Sequence, residues 1–185
     1  MKKISGGALI TKILIQNGIN KAFCVPGESY LGVLEAIRES KNKFDLVVCR
    51  HEGGAAYMAE AYGRLTQKPG ICFVTRGPGA CNASIGVHTA YHEGTPLILF
   101  VGQVPVKSLK KNAFQSIDTD KFFNSMAKYT ETIKDPKNIR KILEKAIYIS
   151  TEGKPGPVVL AIPEDIQFAM VSDKISEVLE NKTHK

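Results

Sequence analysis

Five short apolar runs, at 22–25, 46–49, 71–74, 97–101 and 158–162, are each closed off by Gly, Pro or charged residues. No other feature restricts the fold as much. Runs of four or five residues rich in Val, Ile, Leu, Phe and Cys, without polar alternation, suit strands buried on both faces. Stretches of helical pattern fill the gaps at 8–16, 30–39, 52–65, 80–91 and 136–149. Strand and helix in alternation build a parallel sheet with helices on both sides. A weaker run at 127–132 supplies a sixth strand. The expected fold is therefore α/β: three layers, with a six-stranded, mostly parallel sheet and helices on both faces. At 185 residues the chain suits one domain with an ample core. The pattern fades after Pro163, so residues 1–170 are expected to form the domain. Residues 171–185 are expected to be a tail or the start of a linker, with a short helix from Ser172 and a polar end.

The helix at 136–149 carries its own punctuation: Asp135 as N-cap, Pro136 at the first position, and Ile139, Ile142, Leu143, Ala146 and Ile147 on one stripe. The helices beginning at Glu52 and Ala80 differ. Their stripes are small: Ala55, Ala56, Ala59 and Gly63 on one, Ala83, Gly86, Val87 and Ala90 on the other. Such stripes fit either tight packing on the sheet or a close helix contact across a twofold axis between two copies. Composition leaves both open, and the second expects a homodimer.

Composition narrows the function classes. Apolar residues make up 43% and charged residues 23%, and no apolar stretch is long enough to span a bilayer, so neither disorder nor a membrane helix fits. The net charge of +7 rests on 20 Lys and only five Arg, and the lysines are scattered; that argues for a solvated basic surface and against nucleic acid. Cys24, Cys49, Cys72 and Cys81 show no C-x-x-C spacing and read as buried thiols of a reducing compartment. Polar interruptions at Thr11, Lys12 and Gln16 are unlike a signal peptide, which makes the cytoplasm the expected location.

In a parallel sheet the loops that follow the strands converge on one edge, and ligands bind there. The unusual residues fall in those loops: Pro26-Gly27-Glu28-Ser29, Arg50-His51-Glu52-Gly53-Gly54, Arg76-Gly77-Pro78-Gly79-Ala80-Cys81-Asn82 and Gly102-Gln103. Glu52 opens a helix whose nearby face is Gly and Ala. A glutamate there suits the helix dipole without further function, yet its semi-apolar setting also suits a proton donor or acceptor. His51 beside it reads as structural. Gly77-Pro78-Gly79 begins like a dinucleotide fingerprint, but Asn82 stands where Gly or Ala is needed and no acidic residue follows about 20 positions on. Its glycines still permit a flat ligand to approach the backbone. Gly27-Glu28-Ser29-Tyr30-Leu31 lacks the last Gly of a serine-hydrolase elbow. No P-loop, zinc motif or EF-hand is present, and no metal-ligand set is expected in this chain.

Taken together, FCVPGESYLGVLEAI, the stretch from RHEGGAAYMAEAYGR through TRGPGACNASIG to FVGQVP, and NAFQSIDTDKFF resemble a known family in order and spacing. It is the N-terminal pyrimidine-binding domain of thiamine-diphosphate enzymes of the acetolactate synthase type, and the likeness runs over residues 4–168. Three separate signatures carry it: a Glu inside R-H-E, a G-P-G-x-x-N loop and an A-F-Q turn.

The resemblance implies roles residue by residue. Glu52 is similar to the glutamate that hydrogen-bonds N1′ of the cofactor's aminopyrimidine, favouring the imino form that takes the proton from the thiazolium C2. Pro26 and Gly27 resemble the turn beside the cofactor; Gly77, Pro78, Gly79 and Asn82 resemble the loop lining the pyrimidine. Phe114 and Gln115 look like the residues reaching toward the reacting carbon and the substrate. It also implies a 2-oxo acid carboligase or decarboxylase, with branched-chain amino acid synthesis as the family's setting. Departures bear on the substrate: Gly53 where Gln is common, Glu28 for a second Gly, Ser116 for Glu, and His88, His92 and Glu93 in their helix.

Family enzymes hold Mg²⁺ and the diphosphate on a second domain with a G-D-G motif, and this sequence contains no G-D-G. The expectation is a half-site whose diphosphate-binding domain lies in a further part of the protein or in a separate subunit, inactive when isolated. Two other readings stay open: a non-catalytic interaction subunit of the same fold, and a free-standing dinucleotide-binding domain.

Overall fold

The computed structural model describes residues 3–173. In chain order the elements are β1 (Lys3–Ser5), α1 (Gly6–Gln16), β2 (Lys21–Cys24), α2 (Leu31–Glu39), β3 (Asp45–Val48), α3 (Glu52–Thr66), β4 (Gly70–Thr75) and α4 (Arg76–Glu93). There follow β5 (Leu97–Gln103), α5 (Thr119–Phe123), β6 (Tyr129–Thr132), α6 (Ile139–Thr151), β7 (Pro157–Pro163), α7 (Glu164–Phe168) and β8 (Met170–Ser172). Six strands pair in the order β3-β2-β4-β5-β7-β6, and every pairing is parallel. The expected sheet is thus present in full, and it is wholly rather than mostly parallel.

Side chains on successive strand residues point to opposite faces, and the core divides accordingly. Ile71, Phe73, Ile98 and Phe100 pack with α1, α2 and α6 on one face; Cys72, Val74, Leu97 and Leu99 pack with α3 and α4 on the other. These are the three layers.

The small stripes of α3 and α4 are explained inside one chain. Ala55, Ala56 and Ala59 are fully buried. A Cβ on Gly86 would lie 2.5 Å from that of Ala56, and one on Gly63 would lie 2.2 Å from the Pro96 carbonyl oxygen. Tight packing within the chain, not a contact between copies, therefore uses these stripes. The outward sides of the same helices carry exposed Tyr57, Met58 and Ile85.

Two further differences are local. Residues beyond Pro163, where periodicity fades, form α7 and then β8, which pairs antiparallel with β1 in register Ile4 to Val171. Strands of three residues are too short to leave a pattern. Of the four thiols, Cys24, Cys49 and Cys72 are buried but Cys81 is exposed, because it lies on the outer side of α4. Residues 174–185, with most of the helix expected from Ser172, lie outside the described residues.

Asp135 caps the 3-10 turn at Pro136–Asn138, accepting the Lys137 N–H at 2.9 Å, and α6 follows from Ile139. Among the described residues no helix is long and apolar enough to cross a membrane.

Candidate functional site

The strand order places a topological switch at β2: the chain leaves it toward β3 on one side and returns to β4 on the other. Loops after β2 and β4 therefore diverge and open a crevice between their carboxyl ends, the usual ligand position in such sheets. Pro26-Gly27 ends one wall, and α4 begins the other.

That crevice is closely tied. Gly27 sits so near β4 that a Cβ there would come within 2.5 Å of the Thr75 Cβ. The Ser29 and Thr75 hydroxyls lie 2.6 Å apart. Tyr30, fully buried, donates its hydroxyl to the Val25 carbonyl, and its ring begins a stack with Phe73 and Phe100, at centroid distances of 5.9 and 4.7 Å. Burial pushes the Tyr30 phenol far above its usual range and the Cys24 thiol up to about 11, so both are neutral packing groups.

Glu52 is the first residue of α3. His51 caps this helix, its Nδ1 accepting the Gly53 N–H at 3.0 Å. A ring nitrogen used as an acceptor carries no proton, which gives His51 the structural role expected of it. From the second turn of α4, Asn82 Nδ2 donates to Glu52 Oε2 at 2.9 Å. Two residues separated by 30 positions thus meet at the crevice. Glu52 is half-buried, and Gly54 beside it is so open that a Cβ would meet nothing within 4 Å.

Gly77, Pro78 and Gly79 form the first turn of α4 rather than a loop, since the helix starts at Arg76. Their chemistry explains how. A helix N-terminus leaves amides without partners; the Gln115 carbonyl accepts the Gly77 N–H at 2.8 Å, and Pro78 has none to satisfy. The glycines are filled against by the protein itself. A Cβ on Gly77 would meet the Gln115 carbonyl oxygen at 3.0 Å, and one on Gly79 the Val74 Cβ at 3.0 Å. Gln115 takes a left-handed backbone, φ 60°, to present that carbonyl, while Phe114 stands 78% exposed. The structure therefore joins Glu52 to Asn82 and Gln115 to Gly77, and sets Pro26, exposed, at the mouth.

Sequence reasoning passed over the clamp above these walls. Arg76, also left-handed at φ 43°, reaches Glu164 of α7 at 2.5 Å and Glu28 at 3.5 Å. It links the ends of β2, β4 and β7. Gln167, fully buried, donates to the Ser29 and Ile162 carbonyls, both at 2.8 Å. Neither Glu164 nor Gln167 bears a motif; only the helix start after Pro163 hints at them.

A doubly wound sheet with a glutamate and an asparagine meeting at its switch point defines the class: an α/β cofactor-binding domain. Residues 4–122 match the family model for the thiamine pyrophosphate enzyme N-terminal TPP binding domain, thiamine pyrophosphate being another name for thiamine diphosphate. The chain belongs to this family. Among relatives, it is 34% identical to the mitochondrial acetolactate synthase catalytic subunit of Saccharomyces cerevisiae, over 93% of this chain and 25% of that protein. The corresponding figures are 35%, 90% and 29% for the acetolactate synthase isozyme 3 large subunit of Escherichia coli, and 35%, 93% and 30% for acetolactate synthase of Bacillus subtilis. The chain thus spans between a quarter and a third of the length of these relatives.

Proposed function

We propose that the chain is the pyrimidine-binding half of a thiamine-diphosphate-dependent 2-oxo acid carboligase or decarboxylase of the acetolactate synthase type. The observation that carries this reading is the Glu52 carboxylate, set at the switch point by a helix start and held by Asn82 at 2.9 Å. Thiamine diphosphate, when bound, supplies a thiazolium whose C2 adds to the carbonyl of a 2-oxo acid. Glu52 holds and returns a proton at N1′ of the pyrimidine. Asn82 occupies Oε2 and so orients the carboxylate, leaving Oε1 for the ring. Exposed Pro26 and Pro78 would line the pyrimidine, with Gly27, Gly77 and Gly79 behind them packed against the protein, and the Phe114–Gln115 turn would face the substrate.

The same reading gives residues 1–170 as the binding domain and 171–185 as a tail or linker, of which Val171 and Ser172 still pair with β1. Mg²⁺ and the diphosphate belong to a second domain, consistent with relatives three to four times longer. Among the described residues no cluster of three His, Cys, Asp or Glu side chains could hold a metal ion. A homodimer would use the outward sides of α3 and α4, where Tyr57, Met58 and Ile85 are exposed. Branched-chain amino acid synthesis and a cytoplasmic location complete the proposal, the latter resting on free thiols.

The test is C2–H exchange followed by NMR in a complex of this chain with a diphosphate-binding partner domain. Glu52→Gln keeps the shape but not the proton exchange, so the rate should fall about 10²- to 10⁴-fold with cofactor affinity nearly unchanged. Equal rates in the two proteins would remove Glu52 from the mechanism.

A further inference from the structure

The carboxyl edge of the sheet holds a second concavity, whose lining includes neither Glu52 nor Asn82. Gln103, fully buried at the end of β5, pins both ends of the loop that follows: its Oε1 accepts the Val104 N–H and its Nε2 donates to the Ile117 carbonyl, each at 2.9 Å. Asp165 fastens the same loop from α7, accepting the Val106 N–H at 3.1 Å. Between this loop and the end of β6 lies a cavity of about 390 Å³, within the size range of small-molecule sites.

Its charged lining is Lys107 and Lys110 from the loop, Lys134 from beyond β6, and Asp118 and Asp120 at the start of α5. Among the described residues the three ammonium groups have no hydrogen bond or ion pair. Asp118 is committed elsewhere: it accepts the Lys121 N–H at 3.1 Å and pairs with the Lys121 ammonium at 3.4 Å. Three cations therefore share one uncommitted carboxylate, Asp120, and two positive charges are left over. Partly enclosed walls concentrate such a field.

We propose that this cavity binds a small dianionic acid, a phosphate ester or a dicarboxylate, through Lys107, Lys110 and Lys134. Charge-assisted hydrogen bonds from flexible ammonium groups suit an oxyanion, and two charges on the ligand match the two that Asp120 leaves uncompensated. None of its lining residues has a part in the cofactor reading, although the loop also carries Phe114 and Gln115, so the binding test without cofactor stands or falls by itself.

Calorimetry on the full chain without cofactor, at low ionic strength, tests it with inorganic phosphate in one arm and succinate in the other. Saturable binding is expected in at least one arm: phosphate alone identifies phosphate esters, succinate alone identifies dicarboxylates, and both identify a general dianion seat. Lys107→Ala, Lys110→Ala and Lys134→Ala should each weaken binding about 5- to 10-fold and together abolish it, whereas Asp120→Asn should tighten it. Lys43→Ala, exposed and distant in sequence, is the control for general charge loss and should leave it unchanged. These side chains are on the surface, so circular dichroism should show the fold intact. The proposal is overturned by no saturable binding in either arm, by binding that survives the triple substitution, or by an equal loss with Lys43→Ala.

Discussion

The two faces of one sheet are built on opposite plans. Toward α1, α2 and α6 the strands present Ile71, Phe73, Ile98, Phe100 and Leu160, and the helices answer with Ile10, Ile13, Leu14, Val33, Ile142 and Leu143. Toward α3 and α4 the strands present Cys72, Val74, Leu99 and Val101, and the helices answer largely with alanine. Large side chains hold helices away from a sheet; small ones let backbones approach. On the alanine face a Cβ at Gly70 would fall 1.8 Å from the Ala59 carbonyl oxygen. The site belongs to this second face, since Glu52 and Asn82 project from α3 and α4. Close approach of those two helices brings a glutamate and an asparagine within 2.9 Å, so small residues here serve geometry before stability.

Removing volume should therefore hurt most on the bulky face. Phe73 is fully buried in the middle of the Tyr30–Phe73–Phe100 stack. Phe73→Ala should cost about 3–5 kcal/mol, whereas Cys72→Ala, its neighbour facing α3 and α4, removes one sulfur and should cost far less. Urea denaturation of both variants measures the difference. Equal losses would mean that the two faces do not divide the core as described.

Adding volume should hurt on the other face. Gly86→Ala introduces a single methyl 2.5 Å from the Ala56 Cβ, and neither helix can yield without moving off the sheet, so about 1–3 kcal/mol is expected. Because α3 and α4 would separate, the Glu52–Asn82 bond should lengthen as well, visible as a shift of the Asn82 side-chain amide resonances. An unchanged melting temperature would show slack between the helices.

How much of this was legible follows from the same contrast. The central strands β2, β4, β5 and β7 announce themselves as apolar runs because both faces of a parallel strand are covered, whereas the edge strand β6, YTET and only half-buried, leaves the weaker signal. The alanine stripes were visible too, but not their target: an alanine face fits a neighbouring helix or a second copy equally well, and only the 2.5 Å approach at Gly86 decides. Glu52 and Asn82 could be picked out by loop position and family likeness, though nothing in either residue tells that they bond. The Arg76–Glu164 and Gln167 clamps were illegible for a physical reason. The first joins two side chains 88 positions apart, the second a side chain to the Ser29 carbonyl 138 positions away, and a buried polar residue at a strand end reads as ordinary loop chemistry until its partners are seen. β1 and β8 were lost to brevity.

The smallest expected effect concerns the part of the alanine face that neither α3 nor α4 covers. Short α5 contributes the fully buried Phe123 there, and its N-terminus is fixed by Asp118 accepting the Lys121 N–H at 3.1 Å. That backbone hydrogen bond, followed by the Lys121 ammonium, holds the Asp118 carboxyl below its ordinary value of 3.8. A carboxyl whose folded value is depressed stabilises the fold above its unfolded value and loses that contribution as pH falls through the folded one. Asp118→Ala should thus cost about 1 kcal/mol at neutral pH, the usual worth of an N-cap. The gap between wild type and variant should begin to close below pH 3.8 and vanish once the carboxyl is protonated in the folded protein too. Paired urea titrations at descending pH measure it. A gap that persists in acid would mean that Asp118 acts through its shape rather than its charge, and that α5 is held onto the sheet by Phe123 alone.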